Sequence, residues 1–139
     1  MGARKDLEAI RQLKARYFRL MDTKQWEAWG EVFTADAVVE ASPDPDQIFR
    51  GRAEIVARVS EALRGAVTVH HGHMPEIELT GRNRARGIWA MYDFVDLPQL
   101  LLHGWGHYHE EYRREDGVWR IASTKLTRLR LDITPKEPT

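Results

Sequence analysis

Cysteine is absent from this 139-residue chain. Without a thiol there is no disulfide framework, no cysteine nucleophile and no thiolate metal site. An excess of charge is absent too, because Lys and Arg total 21 and Asp and Glu total 21. A formally neutral chain has no general attraction to DNA, RNA or acidic membranes, so neither a nucleic-acid nor a membrane partner is expected. No apolar run approaches the ~18 residues that a membrane-spanning helix needs. The opening Met1-Gly2-Ala3-Arg4-Lys5-Asp6 lacks a secretory apolar stretch and the hydroxyl residue that a myristoylation signal carries at its sixth position. The cytoplasm is therefore the expected compartment. Internal repeats, low-complexity tracts and long linkers are also lacking, and the length suits one domain spanning residues 1–139.

What is present reads as a globular chain. Apolar residues make up 42% and charged residues 30%, enough for a core and one internal pocket. Leu7, Ile10, Leu13, Tyr17 and Met21 recur at helical spacing, which predicts a first helix over 7–21. Asp22-Thr23 breaks it and leads to a short helix in which Trp26, Trp29 and Phe33 share a face. A short strand is expected at 37–39, a loop at 42–46 from its Pro and Asp content, and a third helix at 52–63. The second half changes period. Strands are expected at 67–79, with a break near Gly72 or Pro75, and at 85–95, 101–113 and 118–131. Helices followed by a strand meander imply an α+β fold, with a curved sheet laid around the helices and a small-molecule pocket at the open end.

All six histidines fall in two strings, His70-His71-Gly72-His73 and the segment 103–109, which holds His103, His107 and His109. Strand alternation places His103, Trp105, His107, His109 and Glu111 on one face of the second string. Gly104, Gly106, Tyr108, Glu110 and Tyr112 fall on the other. Only one face lines a pocket, so several histidines have no catalytic task. Asp22 reads equally as a cap for the next helix or as a site carboxylate. Asp93 interrupts an apolar stripe through Trp89 and Met91, and Arg128 does the same after Leu126. Inward-facing charges need partners, so the two either pair with each other or serve a pocket.

The segment Leu7–Arg19 with Asp22 and Trp26, the segment Thr68–Ile77, the segment Gly87–Asp93 and the segment Asp116–Ile121 together resemble the SnoaL-like family of the nuclear transport factor 2-like superfamily. The resemblance covers nearly the whole chain. It implies a cone-shaped, curved antiparallel sheet packed around three N-terminal helices. Among family members, it resembles the bile acid 7α-dehydratases. Carried over position by position, their pocket implies Tyr17, Asp22, His70, Asp93 and Arg128 as catalytic residues. The Asp22–His70 pair is also similar to the dyads of hexachlorocyclohexane dehydrochlorinase and scytalone dehydratase. Those enzymes perform eliminations without metal or organic cofactor, so the resemblance implies none here. The additional His103, His107 and His109, and the Leu-rich turn at 97–102, depart from the family pattern.

The expected function is a cofactor-independent lyase (a dehydratase) or an isomerase acting on a small hydrophobic, steroid-like or polyketide-like substrate. His70 would move the carbon proton and Asp22 would hold its tautomer. Tyr17 and Arg128 would stabilise an oxyanion, and Asp93 would orient Arg128 or His70. Trp26, Trp29, Trp89, Met91 and Tyr108 are expected in the pocket wall. Two alternatives stand beside this reading. One is a non-catalytic binding or assembly domain. The other is a cupin-type oxygenase with a metal held by His71 and His73 or His107 and His109, with Glu110 or Glu111. A sheet face rich in Trp and His suggests a homo-oligomer, a dimer or trimer.

Overall fold

Helix α1 (Gly2–Asp22) starts earlier than its apolar periodicity indicates. Its exposed N-terminal end is anchored by a polar tether from the second turn, not by burial. The Asp6 carboxylate accepts from Arg114 at 2.7 Å and from the Trp119 indole N–H at 3.1 Å. The computed structural model describes residues 2–138. After α1 come a short α2 (Trp26–Gly30), β1 (Phe33–Glu40), a single 3-10 turn (Pro45–Gln47), β2 (Ile48–Arg50) and α3 (Arg52–Ala62). Four long strands complete the chain: β3 (Val67–Gly81), β4 (Arg84–Asp96), β5 (Leu100–Glu115) and β6 (Val118–Pro135).

The expected α+β cone is present, with three helices against a curved, unclosed six-stranded sheet in the order β2-β1-β6-β5-β4-β3. Three details differ from expectation. The sheet is mixed and not wholly antiparallel, because β1 runs parallel to β6, with Val39 opposite Thr124. β1 comes from the helical half of the chain, and the long intervening segment gives it the crossover that a parallel pairing needs. Phe33 belongs to β1 and not to the second helix, which ends at Gly30. The break expected near Gly72 or Pro75 is an irregularity between His73 and Glu76, where Met74 takes a φ of 32°, and β3 continues through it. The β5–β6 turn is tight because Asp116 and Gly117 both take positive φ, 52° and 77°, as a two-residue hairpin requires.

The core lies between α1 and the concave face of the sheet. Ile10, Leu13, Tyr17 and Met21 of α1 are buried there against Trp89, Tyr108, Tyr112 and Ile121. One cation shares that apolar stripe. Lys14 Nζ lies 2.7 Å from Glu110 Oε2, and both side chains are 0% exposed. The ammonium also faces the rings of Tyr17 and Tyr108, 3.6 and 3.9 Å from their centroids. The second Glu110 oxygen accepts from the Tyr112 hydroxyl at 2.7 Å, which itself accepts from the Trp89 indole at 2.8 Å. Burial pulls the Lys14 pKa below its ordinary value, against the opposing pull of Glu110. A buried pair of this kind is costly to break from one side only. Lys14→Met is therefore expected to lose about 3–5 kcal/mol in urea unfolding. The double variant Lys14→Met/Glu110→Gln should recover most of that loss. Equal losses in the two variants would contradict the pairing.

Candidate active site

The C-terminus of α1 delivers Asp22 to the edge strand β3. Carboxylates are disfavoured at a helix C-terminus, where the macrodipole is negative, so Asp22 needs donors, and β3 supplies three. Asp22 Oδ1 accepts from the Thr68 hydroxyl at 2.9 Å and lies 2.7 Å from His70 Nδ1, while Oδ2 accepts from the His70 backbone N–H at 2.8 Å. Strand alternation puts Thr68 and His70 on the same inward face. A carboxylate only accepts, so the ring N–H at Nδ1 is the donor of this bond, and in the neutral imidazole Nε2 then carries the lone pair. The imidazole is only 8% exposed.

Directly across from His70 in the β3–β4 register stands Asp93. Its two oxygens accept a fork from Arg128 of β6, at 2.6 Å from Nη1 and 3.0 Å from Nη2. This leaves three of the five guanidinium N–H groups unused by Asp93. β5 lies between those two strands, and the pair passes over it at Gly104. A Cβ at that position would sit 1.7 Å from Arg128 Nη1 and 2.2 Å from Asp93 Oδ1. Gly106 is equally restricted, since a Cβ there would sit 1.9 Å from the Thr127 carbonyl oxygen. The β5–β6 register shifts at this point, pairing Trp105 with Arg130 but Gly106 with Arg128. The shift turns Arg128 inward and leaves Leu129 exposed.

These groups meet at a cavity of about 310 Å³, at the lower end of the range for small-molecule sites. His70, Asp93, Arg128, Tyr17 and Tyr108 form its polar side, and Phe33, Val39, Phe49, Leu63, Leu102 and Leu126 are among its apolar walls. Asp22 stands behind His70 and does not line it. Burial first, then the Glu110 carboxylate, holds the Tyr17 phenol far above its ordinary pKa. Burial likewise raises Tyr108, with the neighbouring Tyr17, Asp93 and Glu110 adding to the effect. Both phenols are thus hydrogen-bond donors and not bases. Three of the expected wall residues lie elsewhere. Trp89 and Met91 are buried in the core, and Trp89 donates to Tyr112 there. Trp26 packs edge-on against Trp29 at 5.4 Å between ring centroids and does not line the cavity. Of the five, Trp29 and Tyr108 line it.

The remaining histidines occupy the outer face. His71 and His73 are exposed, with ring centroids 6.1 Å apart, and His107 and His109 are 6.3 Å apart. His103 takes a hydrogen bond with the Tyr92 hydroxyl at 2.7 Å on the same side. Among the described residues no three His, Asp or Glu side chains are grouped to hold a metal ion, so the facial triad of the oxygenase alternative is not assembled. Glu110 points inward to Lys14 and away from that face. Among the described residues, no helix is long and apolar enough to cross a membrane. Sequence reasoning missed Thr68, Gly104 and Lys14. Thr68 could have been found from its shared strand face with His70, and Gly104 from the paired glycines in a strand otherwise built of bulky residues.

The site and the cone define a class. The SnoaL-like domain model matches residues 3–125, and the chain belongs to that family, within the nuclear transport factor 2-like superfamily. A relative from Gibberella zeae, provisionally assigned as a cyclase, is 25% identical over 133 residues, covering 86% of this chain and 89% of its own. Solved structures share the fold. A Novosphingobium aromaticivorans protein, provisionally assigned as a scytalone dehydratase, is 17% identical, with TM-score 0.82 over 91% of this chain and 86% of its own. Hexachlorocyclohexane dehydrochlorinase of Novosphingobium barchaimii is 18% identical, with TM-score 0.80 over 95% and 90%. The Gly104 geometry yields a direct test. Gly104→Ala should force Arg128 off Asp93 and cost roughly 3 kcal/mol, the scale for a buried acid left without its partner. Gly2→Ala, where a Cβ meets nothing within 4 Å, is the neutral control. Urea unfolding reads both, and a wild-type midpoint for Gly104→Ala would contradict the assigned packing.

Proposed function

We propose that this chain is a lyase or isomerase that removes a proton from carbon in a compact hydrophobic ring substrate, without a cofactor. The observation that carries this reading is the Asp22–His70 contact of 2.7 Å, which leaves Nε2 of a cavity-lining imidazole free. In the elimination direction, His70 Nε2 accepts the carbon proton and the C–H electron pair becomes the new double bond. The C–O bond to the neighbouring carbon breaks, and the leaving hydroxide takes the proton from the His70 imidazolium to depart as water, which returns His70 to its neutral form. Asp22 stabilises the imidazolium that forms, as the acid does in a Ser-His-Asp triad. Tyr17 and the unused N–H groups of Arg128 donate to an oxygen that gains charge as the proton leaves. Asp93 aligns the guanidinium.

The family membership supports the class of chemistry, and the cavity supports the size of substrate. About 310 Å³ with mainly apolar walls suits an aromatic polyketide or the ring nucleus of a steroid. The expected cytoplasmic location belongs to this reading. So does self-association through the outer sheet face, where Ile88 and Trp105 stand exposed. Cyclic β-hydroxy ketones, whose dehydration gives an absorbing enone, form a suitable screen. With any substrate found, His70→Ala should cut turnover roughly a hundredfold or more, and Asp22→Asn should cut it strongly with the fold intact by circular dichroism. His109→Ala, on the outer face, should stay within a few fold. Full activity in His70→Ala would remove this mechanism and leave a non-catalytic binding domain as the better reading.

A further inference from the structure

The charges around the cavity are matched in a way that leaves no cation over. Among the described residues that line it, Arg128 is the single permanent cation, against two carboxylates, Asp93 and Glu40. Arg128 keeps 24% of its side chain accessible, but its charge is already engaged. Asp93, 4% exposed, accepts from Nη1 at 2.6 Å and from Nη2 at 3.0 Å. Bidentate pairs of this kind are among the strongest charged hydrogen bonds in proteins. Two lysines close by are matched as well. Lys14 is bound to the buried Glu110, and Lys125 stands 4.0 Å from the partly exposed Glu40. Asp22 adds one more carboxylate behind His70, held by a hydroxyl, a backbone N–H and the imidazole. With His70 in the neutral form that proton abstraction requires, the balance at the cavity is negative.

The phenols register that balance. An ionised Tyr108 would be an anion in the cavity wall. Burial opposes it first, then Tyr17, Asp93 and Glu110, and the favourable pull of Arg128 is the smallest of these effects. At Tyr17 burial and Glu110 lead, and Asp93 and Asp22 act in the same sense. A carboxylate carried by a substrate would meet the same opposition. It would have to leave water, and it would share one guanidinium with Asp93, so that two like charges meet there. The negative charge that forms during proton abstraction is different. It appears only as His70 takes the proton, so the imidazolium balances it within the site.

We infer that Asp93 is a specificity-determining residue: by occupying the charge of Arg128 it makes the cavity select uncharged ring compounds and reject carboxylates of the same size. Ring ketones, alcohols, esters and amides then qualify, and ring carboxylic acids, ionised at neutral pH, do not. This rests on the proposed reading that the cavity takes the substrate, but not on the direction or rate of any reaction.

Binding of naphthalene probes tests it without turnover. 2-Naphthamide and 2-acetylnaphthalene are the neutral probes, and 2-naphthoate is their anionic counterpart of nearly the same shape, all measured by calorimetry near neutral pH. The wild type should bind the neutral probes about tenfold or more tighter than 2-naphthoate, the scale on which a like-charge contact excludes a wrong partner. Asp93→Asn keeps the shape of the side chain and releases the guanidinium charge. It should tighten 2-naphthoate about tenfold and leave the amide within about threefold. A side chain that only supported the fold would weaken all three probes together. Glu40→Gln should move the ratio by less than about threefold, because a charge open to solvent is screened. If Asp93→Asn does not fold, Asp93→Ser, which leaves room for water on the guanidinium, carries the same test. Equal binding of 2-naphthamide and 2-naphthoate by the wild type would overturn the inference, and this arm needs no variant. A preference that survives in the folded Asp93 variant, or one that vanishes in Glu40→Gln, would overturn it as well. Binding of no neutral probe would remove the cavity as the substrate site, and the inference with it. Loss of activity in His70→Ala bears on the proton transfer alone, so the two readings fail separately.

Discussion

The carboxylate of Asp22 is the point on which the arrangement turns. It ends helix α1, where the helix dipole opposes a negative charge, and it is retained there by three donors from one short stretch of β3. Those bonds fasten the helix to the far edge of the sheet. They also set the orientation of the His70 ring, because the backbone N–H and the ring of the same residue hold the two oxygens of one carboxylate. A helix end that would be better off with a basic residue instead carries an acid. The acid at that helix end thus holds an imidazole that lines the cavity.

The concave face poses a second constraint. It is the buried side of the sheet, yet it carries Glu110, Asp93 and Arg128. Each charge there is matched by a partner from another element: Lys14 from the helix for Glu110, and Arg128 across β5 for Asp93. The matching has steric requirements. Gly104 removes the side chain that would occupy the ion pair, and the register shift opposite Gly106 turns Arg128 inward. Two glycines in one strand thus serve charge pairing and strand geometry at once. The Lys14 ammonium lies on the faces of Tyr17 and Tyr108, so the pair beneath the cavity floor also supports the two phenols that line it.

Much of this was legible in the sequence, for physical reasons that can be named. Helix α1 and the four long strands announce themselves by period, since each has one buried face. Asp93 and Arg128 stood out as charges in apolar stripes, and their pairing was one of two readings left open. The separation of the histidines between faces followed from strand alternation alone. What was hidden had no periodic signal. β2 is three residues long, too short to alternate. Lys14 carries no such signal, because a lysine in a helix gives no sign of a distant glutamate. The parallel pairing of β1 depends on where the chain returns. Trp89 and Met91 were expected in the wall because they share a face with Asp93. The helix covers their part of that face, and the cavity begins only beyond it.

The claim that Asp22 fixes His70 with its Nε2 unprotonated is tested most directly by nitrogen-15 NMR of the imidazole side chains. The account expects His70 as the Nδ1–H tautomer near neutral pH, with a strongly deshielded ring proton that disappears in Asp22→Asn. A His70 in the Nε2–H tautomer, or one whose resonances do not respond to Asp22→Asn, would contradict it.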